Sequence, residues 1–379
     1  MAQLTVYAKT NSMNWDAANG WNSQADGLGT DYTNPQNGGG NTYICDCNGK
    51  TGVVINLAVT VDQIKGTDAT GYFSVVANIT VTVSSNPGIL YSGSNTSGFI
   101  RPSANKLTIT HDQGAGTTAV SNTAGGYAIV TSGTGACDVS NSGGTSFSTS
   151  STGRGLQHAG SGTGAVIGDW SMSNGGQTIR IAAGTLNLTG APILVSGTTI
   201  SMAAAPLVIV GGTANWTGSV TIGSGVYALI AQNGGTLNLT GLSVALTGQL
   251  TILYQTGTFN IDTGRVNQQT ATAQCSVIGA ANTNLIVGAS IPSAADTRYG
   301  VTRGWPDGGT GATTGGGVAG GNGLIEMPNS SAPTGTQDAT SDACVVSGKI
   351  YGSPQRTGSA AGGNGTLVPT FGGMLEMGV

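Results

Sequence analysis

The sequence predicts an all-β protein with a β-solenoid body, resembling a parallel β-helix, and three observations predict it. First, the heptapeptide Gly-Thr-Leu-Asn-Leu-Thr-Gly at residues 184–190 recurs unchanged at residues 235–241. Second, short runs such as Ile79-Thr80-Val81-Thr82-Val83 alternate apolar and polar residues and end at Gly, Asn or Ser clusters, as half-buried strands between turns do. Third, 66 of the 379 residues are Gly and only 7% are charged, with two Glu in all, Glu326 and Glu376. That supply is too poor in Glu and Lys for helical bundles or coiled coils. Hydrophobic residues make up 38%, enough for a core and against charge-driven disorder.

Residues 1–130 read as an N-terminal β domain, either more solenoid or a sandwich. The segment opens with Trp15 and Trp21 and continues through β-branched runs at Val53-Val54-Ile55, Val59-Thr60-Val61 and Leu107-Thr108-Ile109-Thr110. Residues 131–165 are rich in Ser, Gly and Thr and read as a linker or a long surface loop.

Residues 166–290 carry the repeat. Variants of the heptapeptide begin at Gly212 (Gly-Thr-Ala-Asn-Trp-Thr-Gly) and Gly257, so the four starts lie 28, 23 and 22 residues apart. A spacing in the twenties marks stacked units that share one core. Each unit supplies a short strand with two inward side chains, bounded by Gly. The recurring Asn187, Asn215, Asn238 and Asn260 either stack as a ladder or face solvent between buried neighbours. Residues 291–379 read as a low-complexity, extended C-terminal tail, with strand signals at Leu324-Ile325-Glu326-Met327 and Val345-Val346. It holds too few apolar residues to fold alone, so packing along a neighbour is expected.

Charge and cysteine usage exclude several functions. Twelve basic residues, scattered over a chain of net charge −4, supply no nucleic-acid patch. No apolar run is long enough for a membrane span, and the opening Met-Ala-Gln-Leu-Thr-Val-Tyr has no signal-peptide pattern, so assembly in the cytoplasm is expected. Cys45-Asp46-Cys47 has one intervening residue, where zinc pairs use two to four. The five cysteines therefore read as buried thiols, and no metal or cofactor is expected. His111-Asp112 is a poor catalytic pair, because adjacent strand residues face opposite ways. His158 reads as a solvated loop residue beside Arg154. Asp169 and Asp262 would have to carry any glycan-cleaving chemistry, and no catalytic residue is assigned. Trp170 and Trp216 are candidate glycan contacts, although packing is the commoner use of such a residue.

The Asn14-Trp15 to Trp21 segment, the stretch Asp46-Cys47-Asn48-Gly49-Lys50-Thr51-Gly52-Val53-Val54-Ile55-Asn56 and the run Val59-Thr60-Val61 together resemble the start of structural proteins of tailed bacteriophages. Residues 292–301 and the Gly-Thr-Leu-Val-Pro segment at 365–369 are similar to their C-terminal parts. The resemblance implies a non-enzymatic virion component. The expected role is a capsid decoration (cement) protein, a homotrimer bound to the major capsid protein, with Trp15, Trp21 and Trp305 as interface anchors. A tail fibre or receptor-binding protein is the alternative, and a bacterial surface adhesin or a β-helical polysaccharide-degrading enzyme the third reading.

Overall fold

The computed structural model describes residues 2–173, 176–194, 205–222 and 227–239, and beyond these the backbone of further strands. Every regular element among the described residues is a β-strand. Stacked parallel strands form a β-solenoid of about 6 turns. The chain divides into two compact units, Met1–Asn187 with Ser196–Leu207, and Leu188–Val195 with Val208–Val379.

The first unit winds around three parallel sheets. One contains Ala2–Ala8, Asn41–Asp46, Gln63–Gly66, Ile89–Tyr91, Thr118–Asn122 and the later halves of Ala136–Ser150 and Thr163–Ser173. The second contains Val53–Ile55, Phe73–Val75, Ile100–Pro102, Tyr127–Thr131, Arg154–His158 and Gln177–Ile181. The third contains Val59–Val61, Ile79–Val83, Lys106–His111 and the early halves of the two long strands. Solenoid turns thus begin within residues 1–130 and run on without a break. The Ser/Gly/Thr-rich stretch expected as linker or loop is strand instead: Ala136–Ser150, Arg154–His158 and the start of Thr163–Ser173.

Each sheet places inward columns of side chains at the core. In the second sheet Val53, Phe73, Ile100, Ile129, Leu156 and Ile179 lie in register, all at most 1% exposed. The third runs Val81, Ile109, Val139 and Val166, and the first Cys45, Ile64, Ile89, Val120, Phe147 and Trp170. β-Branched and aromatic side chains suit this arrangement, because each rests on a like neighbour one strand spacing away. Burial of each large member contributes about 1.5–3 kcal/mol. Charge contributes little. The two ion pairs among the described residues, Lys9–Asp31 and Lys106–Asp138, are both partly exposed, and such surface pairs are worth about 0–1 kcal/mol.

The N-terminal edge is closed by residues of the same chain. Trp21–Asn22 pairs antiparallel with Ala2–Ala8, and Asp31–Tyr32 pairs with Trp21–Asn22. Over the second sheet, the Val54 N–H donates to the Met13 carbonyl (2.7 Å) and the Trp15 N–H to the Val54 carbonyl (2.8 Å). Over the third, the Asn37 N–H donates to the Thr60 carbonyl (2.7 Å). Asp62 fastens this cap, accepting from Gln3 Nε2 (2.9 Å), Asn37 Nδ2 (3.2 Å) and Ser84 Oγ (2.6 Å). Burial raises the pKa of its carboxyl, but these hydrogen bonds outweigh burial and hold it below the ordinary value. Strand N–H and C=O groups that would otherwise offer a docking edge are therefore occupied.

Trp15 and Trp21, expected as interface anchors, are both 0% exposed and belong to this cap. Their ring centroids lie 4.8 Å apart, and Trp15 lies 6.0 Å from Phe73. Phe73 meets Phe99 edge-on at 5.3 Å, and Phe99 stacks on Tyr91 at 4.8 Å. Trp15 Nε1 donates to the Pro35 carbonyl (3.2 Å) and Trp21 Nε1 to the Trp15 carbonyl (2.8 Å). Both indoles are thus satisfied inside the chain and leave no ring surface for a partner. Trp305 lies outside the described residues.

In the second unit the repeats stack in the register that their sequence dictates. Thr213, Ala214, Asn215 and Trp216 face Thr236, Leu237, Asn238 and Leu239, which face Thr258, Phe259, Asn260 and Ile261. Ala214, Trp216 and Leu237 are 0% exposed. Asn215 and Asn238 are half-buried on the outer side, and Asn238 Nδ2 donates to Asn215 Oδ1 at 2.8 Å. Both readings of the asparagines hold for this pair: they face outward, and they form a ladder. The opening glycine of three copies has a left-handed φ, +63° at Gly184, +65° at Gly212 and +62° at Gly235. A side chain is disfavoured there, which explains why these three copies begin with Gly. Part of the expected tail continues the stack: Gly323–Met327 pairs with Asn284–Val287, and Gly348–Gly352 pairs with Gly323–Met327.

Candidate functional site

The tryptophans expected to touch glycans are core residues. Trp170 and Trp216 are both 0% exposed, and Trp216 Nε1 donates to the Gly190 carbonyl at 2.7 Å. Trp170 lies in the buried column of the first sheet, beside Phe147. Neither presents a ring face to a ligand. Asp169 is half-buried on the opposite side of its strand from Trp170, and Asp262 lies outside the described residues. Cys45, Cys47 and Cys137 are buried free thiols. Burial, with neighbouring aspartates adding to it, pushes all three pKa values well up, so they are unreactive.

The histidines sit at solenoid corners. His111 is 5% exposed and Asp112 is exposed on the other side of the chain. His111 Nδ1 accepts from the Gln113 N–H (3.1 Å), which leaves Nε2–H to donate to the Ser85 carbonyl (2.8 Å). His158, expected to be solvated, is 0% exposed. The reason is its strand position: His158 lies two residues after Leu156, on the same inward side. Thr131 Oγ1 accepts from the N–H groups of Ala159 (3.1 Å) and Gly160 (3.0 Å), so its own proton points at His158 Nδ1 (3.3 Å). Nε2–H then donates to the Gly162 carbonyl at 3.0 Å. Asn122 and Asn141 do the same work at other corners, each with its amide nitrogen shared between two backbone carbonyls.

This burial gives a pH dependence. Desolvation lowers the His158 pKa below its ordinary 6.5, partly opposed by the bond to Gly162. The unfolded chain therefore takes up the proton first. The stabilising contribution is complete above pH ~6.5, is lost as pH falls through the folded pKa, and changes no further below it. Thermal melts are expected to show a falling midpoint as pH drops below ~6.5. In His158→Gln the starting midpoint is lower and that part of the slope disappears. An unchanged slope would contradict the buried neutral imidazole.

The outer face of the second sheet holds a polar groove of about 380 Å³, lined by Thr96, Tyr127, Arg154, Gln157, Gln177 and Arg180. Register builds it. Arg154 lies beside Gln177, and Gln157 beside Arg180, so two arginines and two glutamines form a checkerboard on adjacent strands. Gln157 and Arg180 point outward because Leu156, His158, Ile179 and Ile181 point in. The Arg154 guanidinium lies 5.1 Å from the centre of the Tyr127 ring. Tyr127 Oη donates to Gln177 Oε1 at 2.8 Å. A third arginine follows on the same sheet: Arg101 lies over Tyr72, 3.5 Å from its ring centre, and its Nε donates to the Gly98 carbonyl (2.7 Å). None of these arginines takes part in an ion pair among the described residues.

Sequence reading passed over this groove. Its signal is there: Arg154-Gly155-Leu156-Gln157 and Gln177-Thr178-Ile179-Arg180 each carry an Arg and a Gln three positions apart, in opposite order. The segments become neighbours only once one solenoid turn is known to separate them. The chain matches no protein-family model, no curated protein and no solved structure.

Proposed function

We propose that the protein is a structural component of a bacteriophage virion, a capsid decoration protein that binds the head surface as a homotrimer. The observation behind this reading is a stack of turns with buried columns in register under a largely uncharged exterior. Such a body keeps its shape under load, and contacts made through neutral Ser, Thr and Asn groups depend little on salt. With Trp15 and Trp21 in the cap, the capsid contact falls to the outer faces of the strands. The trimer rests on the resemblance to phage structural proteins and not on the N-terminal edge, which the chain covers itself. In a density gradient of a phage lysate, the chain is expected in the particle band. The second reading, a tail-borne receptor-binding protein, is favoured by the arginine groove.

A further inference from the structure

We propose that the groove on the second sheet binds an acidic saccharide, with Arg154 and Arg180 taking its carboxylates and Gln157 and Gln177 its hydroxyls. Such binding is a property of the isolated chain, independent of where the chain is mounted.

Four observations carry it. The groove belongs to a rigid part of the fold, since its strands flank the buried column Ile129, Leu156 and Ile179. Its two cations carry no ion pair among the described residues, in a chain with a net charge of −4, and none of its lining residues is acidic. A guanidinium offers a planar fork that matches a carboxylate, and placement over an aromatic ring orients Arg154 beforehand. The remaining lining groups are amides and hydroxyls, which donate to and accept from sugar hydroxyls equally well.

Spacing fits an oligomer better than a single sugar. Arg154 and Arg180 lie on adjacent strands and three positions apart along them. Their α-carbons are therefore separated by ~10 Å along the strand and ~4.8 Å across it. That span matches charges on two sugars of a chain rather than one carboxylate. A nucleic acid is the poorer fit. Tyr127, the aromatic residue of the lining, is 4% exposed and offers no face for base stacking, and two arginines make a small phosphate footprint.

The test is calorimetric titration of the full chain with oligogalacturonates and oligosialates of three to six sugars. Fully methyl-esterified oligogalacturonate serves as the uncharged counterpart, and a dT oligonucleotide as the competing polyanion. Binding of at least one carboxylated oligosaccharide is expected, weakening with salt and absent for the ester. R154Q and R180Q are each expected to weaken it roughly tenfold or more, because each removes hydrogen bonds to a charged group. R180K keeps the charge but loses the fork, and is expected to weaken binding as well. Thermal melts confirm that each variant is folded. Both arginines are partly exposed, and R180K guards against a loss caused by misfolding. Four results would overturn the proposal: no binding across the panel at millimolar concentration, equal binding of the ester, affinity unchanged in folded R154Q and R180Q, or tighter binding of the oligonucleotide.

Discussion

Replacing Leu237 by Asp is expected to unfold the repeat region of the second unit. Leu237 is 0% exposed and lies in register between Ala214 and Phe259. No cation lies in register beside it among the described residues, so a carboxylate there is buried without a partner. Burying it costs about 4 kcal/mol or more, the range reserved for unpaired buried charge. Nearest-neighbour coupling spreads the damage, because each solenoid turn is the platform for the next. Limited proteolysis should then cut within residues 208–261, while the first unit keeps its melting transition. Asn238, the next residue, is the control. It faces outward and donates to Asn215, so Asn238→Ala should cost far less than Leu237→Asp, about 1 kcal/mol for that hydrogen bond. A soluble Leu237→Asp chain with an unchanged melt would refute the rung register.

Trp15→Ala is expected to be the most damaging single truncation in the first unit. The indole is 0% exposed, touches the Trp21 and Phe73 rings and donates to the Pro35 carbonyl. Tryptophan-to-alanine changes in a core cost about 3–5 kcal/mol. Here the loss also loosens the cap, whose backbone bonds cover Val54 and Thr60. The exposed strand edges should then drive association, visible as concentration-dependent light scattering during urea unfolding. Trp15→Phe keeps much of the contact and should lie between. A loss below about 1 kcal/mol would mean that the cap is dispensable. That result would reopen the assignment of Trp15 to a partner surface.

The repeats were legible in the sequence because each position in them is locally constrained. Their glycines take left-handed φ values that disfavour other residues, and their apolar residues alternate with Asn on a strand that faces the core once every two positions. The turns of the first unit obey the same pleat but not a fixed length. Ile64 follows Cys45 by 19 residues, whereas Val120 follows Ile89 by 31. Insertions at corners erase the period and leave the register intact. The stretch 131–165 read as a loop for a related reason. Several of its buried positions hold Asn141, Ser146 and Thr149, satisfied by corner hydrogen bonds, so hydropathy shows no alternation. The tryptophans misled because an indole serves a core and an interface equally well, and residue type does not settle which. The groove was hidden because its halves lie 23 residues apart in sequence and one strand apart in space.

The proposed role makes this solenoid a part of a virus particle. Its most direct measurement is quantification of the chain across a density gradient of a phage lysate, by mass spectrometry, against the major capsid protein. The proposed role predicts the chain in the particle band at a fixed ratio to capsid protein, retained after a high-salt wash. Recovery only in soluble or cell-surface fractions, with none in the particle band, would contradict it.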